Sequence, residues 1–213
     1  MRPFSVNSAD TQAGTVEFLY KLVGKGTSLM ADMKPGGRVG ALGPLGNGFP
    51  LLPQYRSVAL LGRGIGAAPM RFLAEYAVEK GLSVNVLLSA SCEEQLLDKR
   101  IFEEMAGVRL FTTTDPDVVT ADLLGEMLPE TPVDAAYTCG SRRVVHKLRE
   151  LQELYGLDCY ASLEEHMACG TGACHCCSHH IDDAKGGSVE AREIRICMEG
   201  PVFPIKIAAA LCM

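Results

Sequence analysis

Nine consecutive residues, Cys169-Gly170-Thr171-Gly172-Ala173-Cys174-His175-Cys176-Cys177, carry four thiols, and a fifth follows at Cys197. Taken as ligands, Cys169, Cys174 and Cys177 are spaced C-x4-C-x2-C. That is the plant-type [2Fe-2S] pattern, in which one loop wraps the cluster and a distant cysteine closes it. Cys197 is the candidate for closure. Gly170, Gly172 and Ala173 suit the task, because backbone folded around an anionic cluster needs positive φ, close approach and N–H groups turned toward sulfur. Zinc is the competing occupant: Cys174 and Cys177 also read C-x2-C, and His175, His179 and His180 offer nitrogen donors. The glycine-rich gap of four residues suits a zinc knuckle less well. Cys176 competes with Cys177 for one ligand position, and spacing alone leaves both open. Disulfides fit least, because the thiols are crowded and no secretory signal is visible. Cys92, Cys139, Cys159 and Cys212 stand in ordinary or apolar surroundings, where a free cysteine acts as a small buried hydrophobe, and they receive no role.

A second chemistry is written where Val58-Ala59-Leu60-Leu61 runs into Gly62-Arg63-Gly64-Ile65-Gly66. A strand, a glycine turn and a helix N-terminus present backbone N–H groups and a positive dipole end to a phosphate. The run is not a strict G-x-G-x-x-G, so a plain strand-to-helix turn is the alternative. Gly64 and Gly66 are the candidate nucleotide residues, and Cys139-Gly140-Ser141 forms a similar turn later. Near the start, Arg2-Pro3-Phe4-Ser5 and Gly24-Lys25-Gly26-Thr27 combine an arginine, hydroxyls and glycine N–H groups, a set able to hold a pyrophosphate. The plainer reading of the second segment is a turn before a helix beginning at Ser28, with Thr27 as its N-cap.

The elements that must position these residues fall into three segments, 1–53, 54–156 and 157–213. Up to about Pro53 the chain is rich in glycine turns, with strand candidates at Thr15 to Val23 and Arg38 to Leu42, so antiparallel β-structure is expected. From Ser57 the pattern alternates. Strands are expected at Val58 to Leu61, Val84 to Leu88, Val108 to Phe111 and Ala135 to Thr138. Helices are expected between them: one carrying Met70, Leu73, Ala74, Ala77 and Val78 on a single face and stopped by Gly81, others near Leu123 to Leu128 and Val144 to Tyr155, the last ended by Gly156. Strand and helix in alternation predict a parallel sheet. The fold class is therefore α/β plus β, with the cysteines in a small C-terminal unit.

With 213 residues, 47% of them hydrophobic and 22% charged, the chain can build real cores. A net charge of −6 argues against nucleic acid or an anionic membrane as partner. No apolar run reaches transmembrane length, and Ile205 to Met213 is expected to pack on the core as a tail. The start has no apolar signal region, so the cytoplasm is the expected compartment.

Order and combination carry a resemblance. Arg2-Pro3-Phe4-Ser5, Leu19-Tyr20-Lys21, Gly26-Thr27, Gly43-Pro44-Leu45-Gly46-Asn47-Gly48-Phe49, Gly64-Ile65-Gly66-Ala67-Ala68-Pro69-Met70 and Ser162-Leu163-Glu164-Glu165-His166-Met167-Ala168-Cys169-Gly170 resemble the electron-transfer subunit of class 1B dihydroorotate dehydrogenase. That family belongs to the ferredoxin-NADP reductase superfamily. The resemblance implies an antiparallel FAD-binding β-barrel, a parallel-sheet nucleotide-binding domain and a small C-terminal [2Fe-2S] domain. By it, Arg2, Pro3, Phe4, Ser5, Leu19, Tyr20, Lys21, Gly26 and Thr27 would contact FAD, Gly64 and Gly66 would face NAD, and Cys169, Cys174, Cys177 and Cys197 would hold the cluster. Gly43 to Phe49 reads as a plain loop or a flavin-side hinge. The family barrel has strands ahead of its R-P-x-S motif whereas this chain opens on it, which implies a barrel without its N-terminal part. Gly62-Arg63-Gly64 stands where the family has a glycine triplet, Thr113-Thr114-Asp115-Pro116-Asp117 where it has a glycine-containing acidic turn, and His175-Cys176 where its cluster loop has a glycine.

The implied role is a relay. A partner subunit would oxidise dihydroorotate on FMN, the subunits forming a heterotetramer; the cluster would carry electrons across the interface, and FAD would reduce NAD. Related flavin and iron-sulfur subunits of NADH-dependent ferredoxin reductases or sulfhydrogenases, and a flavin-less iron-sulfur carrier, are the alternatives.

Overall fold

The computed structural model describes residues 2–185 and 188–212. Its first segment holds β1 (Ser8–Asp10) and β2 (Thr15–Glu17), paired antiparallel, and a short helix α1 (Lys25–Ala31). The strand expected over Thr15 to Val23 therefore stops at Glu17, and Arg38 to Leu42 is not a strand. The cause is partnership. The ladder ends where Ser8 meets Glu17, and the 38–42 run lies between glycines with no neighbour to pair with, a state in which isolated strands do not persist. Among the described residues of 1–53, the expected barrel is represented by this one ladder. Val16, Phe18, Leu22, Val23, Leu29, Val39 and Leu42 are left exposed. The helix expected from Ser28 starts three residues earlier. Thr27 lies inside it, where its Oγ1 accepts the Val23 and Gly24 N–H groups at 3.1 and 3.2 Å.

The α/β pattern is realised as β3 (Ser57–Arg63), α2 (Ala68–Glu79), β4 (Ser83–Ser89), α3 (Lys99–Glu104), β5 (Val108–Thr113), α4 (Thr120–Met127), β6 (Ala135–Cys139), α5 (Arg142–Tyr155) and β7 (Asp158–Ser162). After them come a hairpin, β8 (Ser178–Lys185) with β9 (Ser188–Arg195), a helical turn α6 (Ile196–Glu199), β10 (Val202–Pro204) and α7 (Ile205–Leu211). One sheet takes the order β10-β7-β6-β3-β4-β5, parallel throughout except for β10, which runs antiparallel to β7. Thus β7 and β10, both from the segment after residue 156, complete the sheet of the segment before it.

Both faces of the sheet are covered, which is why its strands read as continuous apolar runs. Side chains alternate between the faces. Ala59 and Leu61 of β3 join a core with Leu124 of α4, Leu148 of α5 and Ala208 of α7, which also takes in Cys177, Ile194, Ile196 and Cys197. Val58 and Leu60 face the other way, against Met70, Leu73 and Phe102. Ile205, Ala208 and Ala209 are buried, so the apolar tail packs on the core as expected. Polar contacts tie the first segment to this body. Buried Asn7 donates to the Ala68 carbonyl at 2.9 Å and to Asp98 at 2.8 Å, Ser8 donates to Glu75, and Arg71 pairs with both Glu17 and Glu75. Among the described residues, no helix is long and apolar enough to cross a membrane.

Candidate functional site

The loop from Leu163 to Cys177 leaves the end of β7 and turns back on itself at three left-handed residues, Gly170 (φ +70°), Gly172 (φ +77°) and His175 (φ +55°). The two glycines take this backbone freely. His175 is tied down instead: its Nδ1 lies 2.7 Å from Glu193 Oε1 of β9, the same atom that accepts Ser178 Oγ at 2.7 Å. These bonds, Ser178 first and His175 second, hold the Glu193 carboxyl below its ordinary range. His179 makes a similar tie to Glu165 at 2.7 Å. Two of the three expected nitrogen donors, His175 and His179, are therefore engaged with carboxylates.

Within this frame the thiols form two pairs. Cys169 Sγ accepts the N–H groups of Thr171 and Cys174, each at 3.4 Å, and lies against the Cys174 thiol. Cys177 Sγ accepts the Cys197 N–H at 3.4 Å and lies against the Cys197 thiol. The second pair is brought together by α6, whose Ile196 N–H bonds the Cys177 carbonyl at 3.1 Å. Cys197 also feels the charge of Cys169 and the Gly172 amide, so the pairs are neighbours. Arg195 and Met198, either side of it, close over Gly172: Arg195 donates to its carbonyl at 3.1 Å, and a Cβ there would come within 2.8 Å of Met198 Cγ. Cys177 is buried whereas Cys176 is exposed. Among the described residues, no three His, Cys, Asp or Glu side chains are grouped around a single ion position. A two-iron cluster takes two thiolates at each iron, which matches two neighbouring pairs of thiols. The donor set fits the cluster.

The two backbone donors to Cys169, Thr171 first, bring its thiol down to about 6. Burial, reinforced by Cys177, pushes Cys197 up, and burial alone carries most of the rise of Cys139 to about 11 and of Cys159 to about 12. Reactivity follows thiolate content. Iron-free protein treated with iodoacetamide is expected to alkylate at Cys169 with a rate that rises through pH about 6, while Cys139 and Cys159 stay unmodified at neutral pH. Peptide mass mapping across a pH series checks this.

The expected FAD residues come together in part. Phe4 packs on Tyr20, ring centroids 5.6 Å apart, and on Phe18 at 6.3 Å. Arg2 lies over Gly26, where a Cβ would meet its Nε at 3.4 Å, and Thr27 is buried beneath. Leu19 is half-buried, and Pro3, Ser5 and Lys21 are exposed on the same segment.

At the sheet, β4 lies on one side of β3 and β6 on the other, so the chain reverses its direction of growth there. Such a switch point, at the carboxyl ends of the strands, is where open α/β sheets take ligands. The turn Gly64 to Ala67 occupies it and leads into α2, while Ser141 Oγ accepts the Val144 N–H at the start of α5 on the other side. Contact between the two turns is close: a Cβ on Gly66 would overlap the Cys139 carbonyl oxygen and stand 3.0 Å from its carbon.

One contact was not foreseen from sequence. Asn47, in the Gly43 to Phe49 loop, bonds through its Nδ2 to the carbonyls of Glu199 (2.9 Å) and Met198 (3.3 Å), and its own N–H bonds Gly200. The loop is thereby fastened to the segment carrying Cys197, and a cavity of about 280 Å³ lies between them, lined by Pro44, Leu45, Gly46, Gly170, Thr171, Cys197 and Met198. The only trace in the sequence is an asparagine between two glycines.

Comparison with known proteins agrees with this geometry. Residues 164–207 match the family described as the iron-sulfur cluster binding domain of dihydroorotate dehydrogenase B. The dihydroorotate dehydrogenase B (NAD(+)) electron transfer subunit of Enterococcus faecalis is 34% identical over 209 residues, covering 95% of this chain and 78% of that one. The subunit of the same name from Caldanaerobacter subterraneus is 36% identical over 205 residues, with the same two coverages. Among solved structures, an NADH-dependent reduced ferredoxin-NADP oxidoreductase superposes with a TM-score of 0.77 at 24% identity, over 96% of this chain and 72% of that one, which establishes a shared fold.

Proposed function

Since the chain belongs to the family of dihydroorotate dehydrogenase B electron-transfer subunits, we propose that it relays electrons between a dihydroorotate-oxidising partner and NAD through a [2Fe-2S] cluster and FAD. The observation that carries the proposal is the two-pair arrangement of Cys169 with Cys174 and Cys177 with Cys197, built at the edge of a nucleotide-type sheet. Bound flavin exchanges electron pairs with a nicotinamide and single electrons with an iron-sulfur cluster, and so couples the two currencies.

The rest falls to the chain's own residues. Cys169, Cys174, Cys177 and Cys197 hold the cluster, and the Thr171 and Cys174 amides, aimed at Cys169 sulfur, stabilise negative charge there. Arg2, with the Gly26-Thr27 turn, receives the flavin pyrophosphate, and Pro3, Phe4, Ser5, Leu19, Tyr20 and Lys21 line the flavin. Gly64 and Gly66 let the NAD backbone approach the switch point. Asn47 keeps the flavin-side loop against the cluster segment. The three segments 1–53, 54–156 and 157–213 then divide by task, flavin, nucleotide and cluster, although the sheet crosses the second boundary. The partner is an FMN-containing catalytic subunit, joined as a heterotetramer, and nine free thiols, four of them in the iron-sulfur loop itself, suit the reducing cytoplasm.

Anaerobically purified protein is expected to show flavin and iron-sulfur absorption together, both bleaching when NADH is added. Iron-sulfur bands without flavin would reduce the reading to a cluster carrier, and a colourless zinc protein would overturn it.

A further inference from the structure

The residue that breaks the glycine run, Arg63, is the last residue of β3 and is half-buried at the carboxyl edge of the sheet. It stands opposite Ser89, the last residue of β4, in the parallel register, and its Nη1 reaches Ser89 Oγ at 3.5 Å. That long contact is its one polar partner among the described residues. No carboxylate pairs with it, although Glu93 and Glu94 follow β4 and Asp115 and Asp117 follow β5 at the same edge. Each of these acids has a nearer engagement or none with Arg63: Glu93 pairs with Lys99, Glu94 with Cys92, and Asp115 accepts the Asp117 N–H. A partly buried guanidinium without a counter-ion loses hydration and gains no charge partner in return. Arg63 precedes Gly64 directly, so its guanidinium shares the edge with the turn N–H groups that lead into α2.

We propose that Arg63 is a pyrophosphate-binding side chain of the dinucleotide site, adding a fixed positive charge to a turn that otherwise offers only backbone donors. The planar fork of arginine matches two phosphate oxygens at once, which a lysine cannot reproduce. This inference rests on the nucleotide reading of the β3–α2 turn and assigns it a specific recognition group. Arg63 adjoins the turn at Gly64 and is not neutralised by a carboxylate among the described residues, so its removal should be felt by the diphosphate.

The test is calorimetric titration of holoprotein with ADP-ribose, which carries the diphosphate without the redox group. Arg63→Gln is expected to weaken binding by about 10- to 100-fold, the range for a hydrogen bond to a charged group, and to flatten its dependence on salt. Arg63→Lys should recover only part of the loss, and Ser89→Ala, which removes the contact with β4 but keeps the guanidinium, should bind nearly as wild type. Unchanged affinity in Arg63→Gln, with wild type binding normally, overturns the assignment. Equal weakening in Ser89→Ala overturns it too, because Arg63 would then act by bracing the strand ends. Wild-type protein that fails to bind ADP-ribose defeats the underlying nucleotide reading instead. Unaltered flavin and cluster absorption in each variant shows that the fold is retained.

Discussion

Cys177→Ser is expected to strip the protein of its iron, while Cys176→Ser leaves iron and spectrum close to wild type. The two thiols are adjacent in sequence and opposite in surroundings. Cys177 is buried, joins the core with Ile194 and Ile196, and accepts the Cys197 amide, whereas Cys176 is exposed. Rotating Cys176 into the same place would drag the start of β8 out of register with β9, whose pairing begins at Ser178 opposite Arg195. Loss of outer partners alone costs metal sites about 10- to 100-fold in affinity, and removal of a direct ligand should exceed that. Iron analysis and visible absorption of the two variants, purified without air, check the expectation. Iron retained in Cys177→Ser but lost in Cys176→Ser would reverse the ligand assignment.

Gly66→Ala carries the second large effect. The added methyl would overlap the Cys139 carbonyl oxygen, and both neighbours are backbone rather than flexible side chain. No rotamer relieves a clash with Cβ, so the turn after β3 and the turn after β6 must separate. The variant is expected to lose NADH-driven flavin reduction by about 100-fold or more, in line with the effect of an ångström-scale misplacement of a binding element. It should also melt lower, because Gly62 behind the turn has Ala67 against it. Stopped-flow reduction by NADH and a thermal melt measure the two effects, and a variant reduced at the wild-type rate would remove the β3–α2 turn from the nucleotide site.

What could be read from the chain beforehand divides by range. The C-x4-C-x2-C loop was legible because spacing is a local property, and the structure brings its Cys169, Cys174 and Cys177 together with the more distant Cys197. The parallel sheet was legible because β3, β4 and β6 are buried on both faces and so leave continuous apolar runs. The short strand β7, with Asp158 and Cys159, and three-residue β10 carry too little pattern to stand out, and they exist because they pair with one another and with β6. The β8–β9 hairpin is rich in histidine and acid and lacks a clear apolar alternation, so little in its sequence marks it as strand. In the first segment, β-branched residues from Thr15 to Val23 suggested more strand than β1 can pair with. Asn47 could not be foreseen at all, since its partners lie some 150 residues away in sequence.

The iron-binding loop departs from β7 and returns through β10, and the two strands are zipped together at the point of departure: Ser162 faces Val202, and Leu163 N–H bonds the Pro201 carbonyl at 2.9 Å. Its ends are therefore joined by strand pairing and not only by the thiols it carries. Closing a loop of this length is an entropic cost that grows with the number of residues spanned, and here the sheet meets it during folding. The thiols on the loop are thus drawn together partly by backbone pairing at its stem, so the ordering of the site does not fall wholly on what the thiols bind.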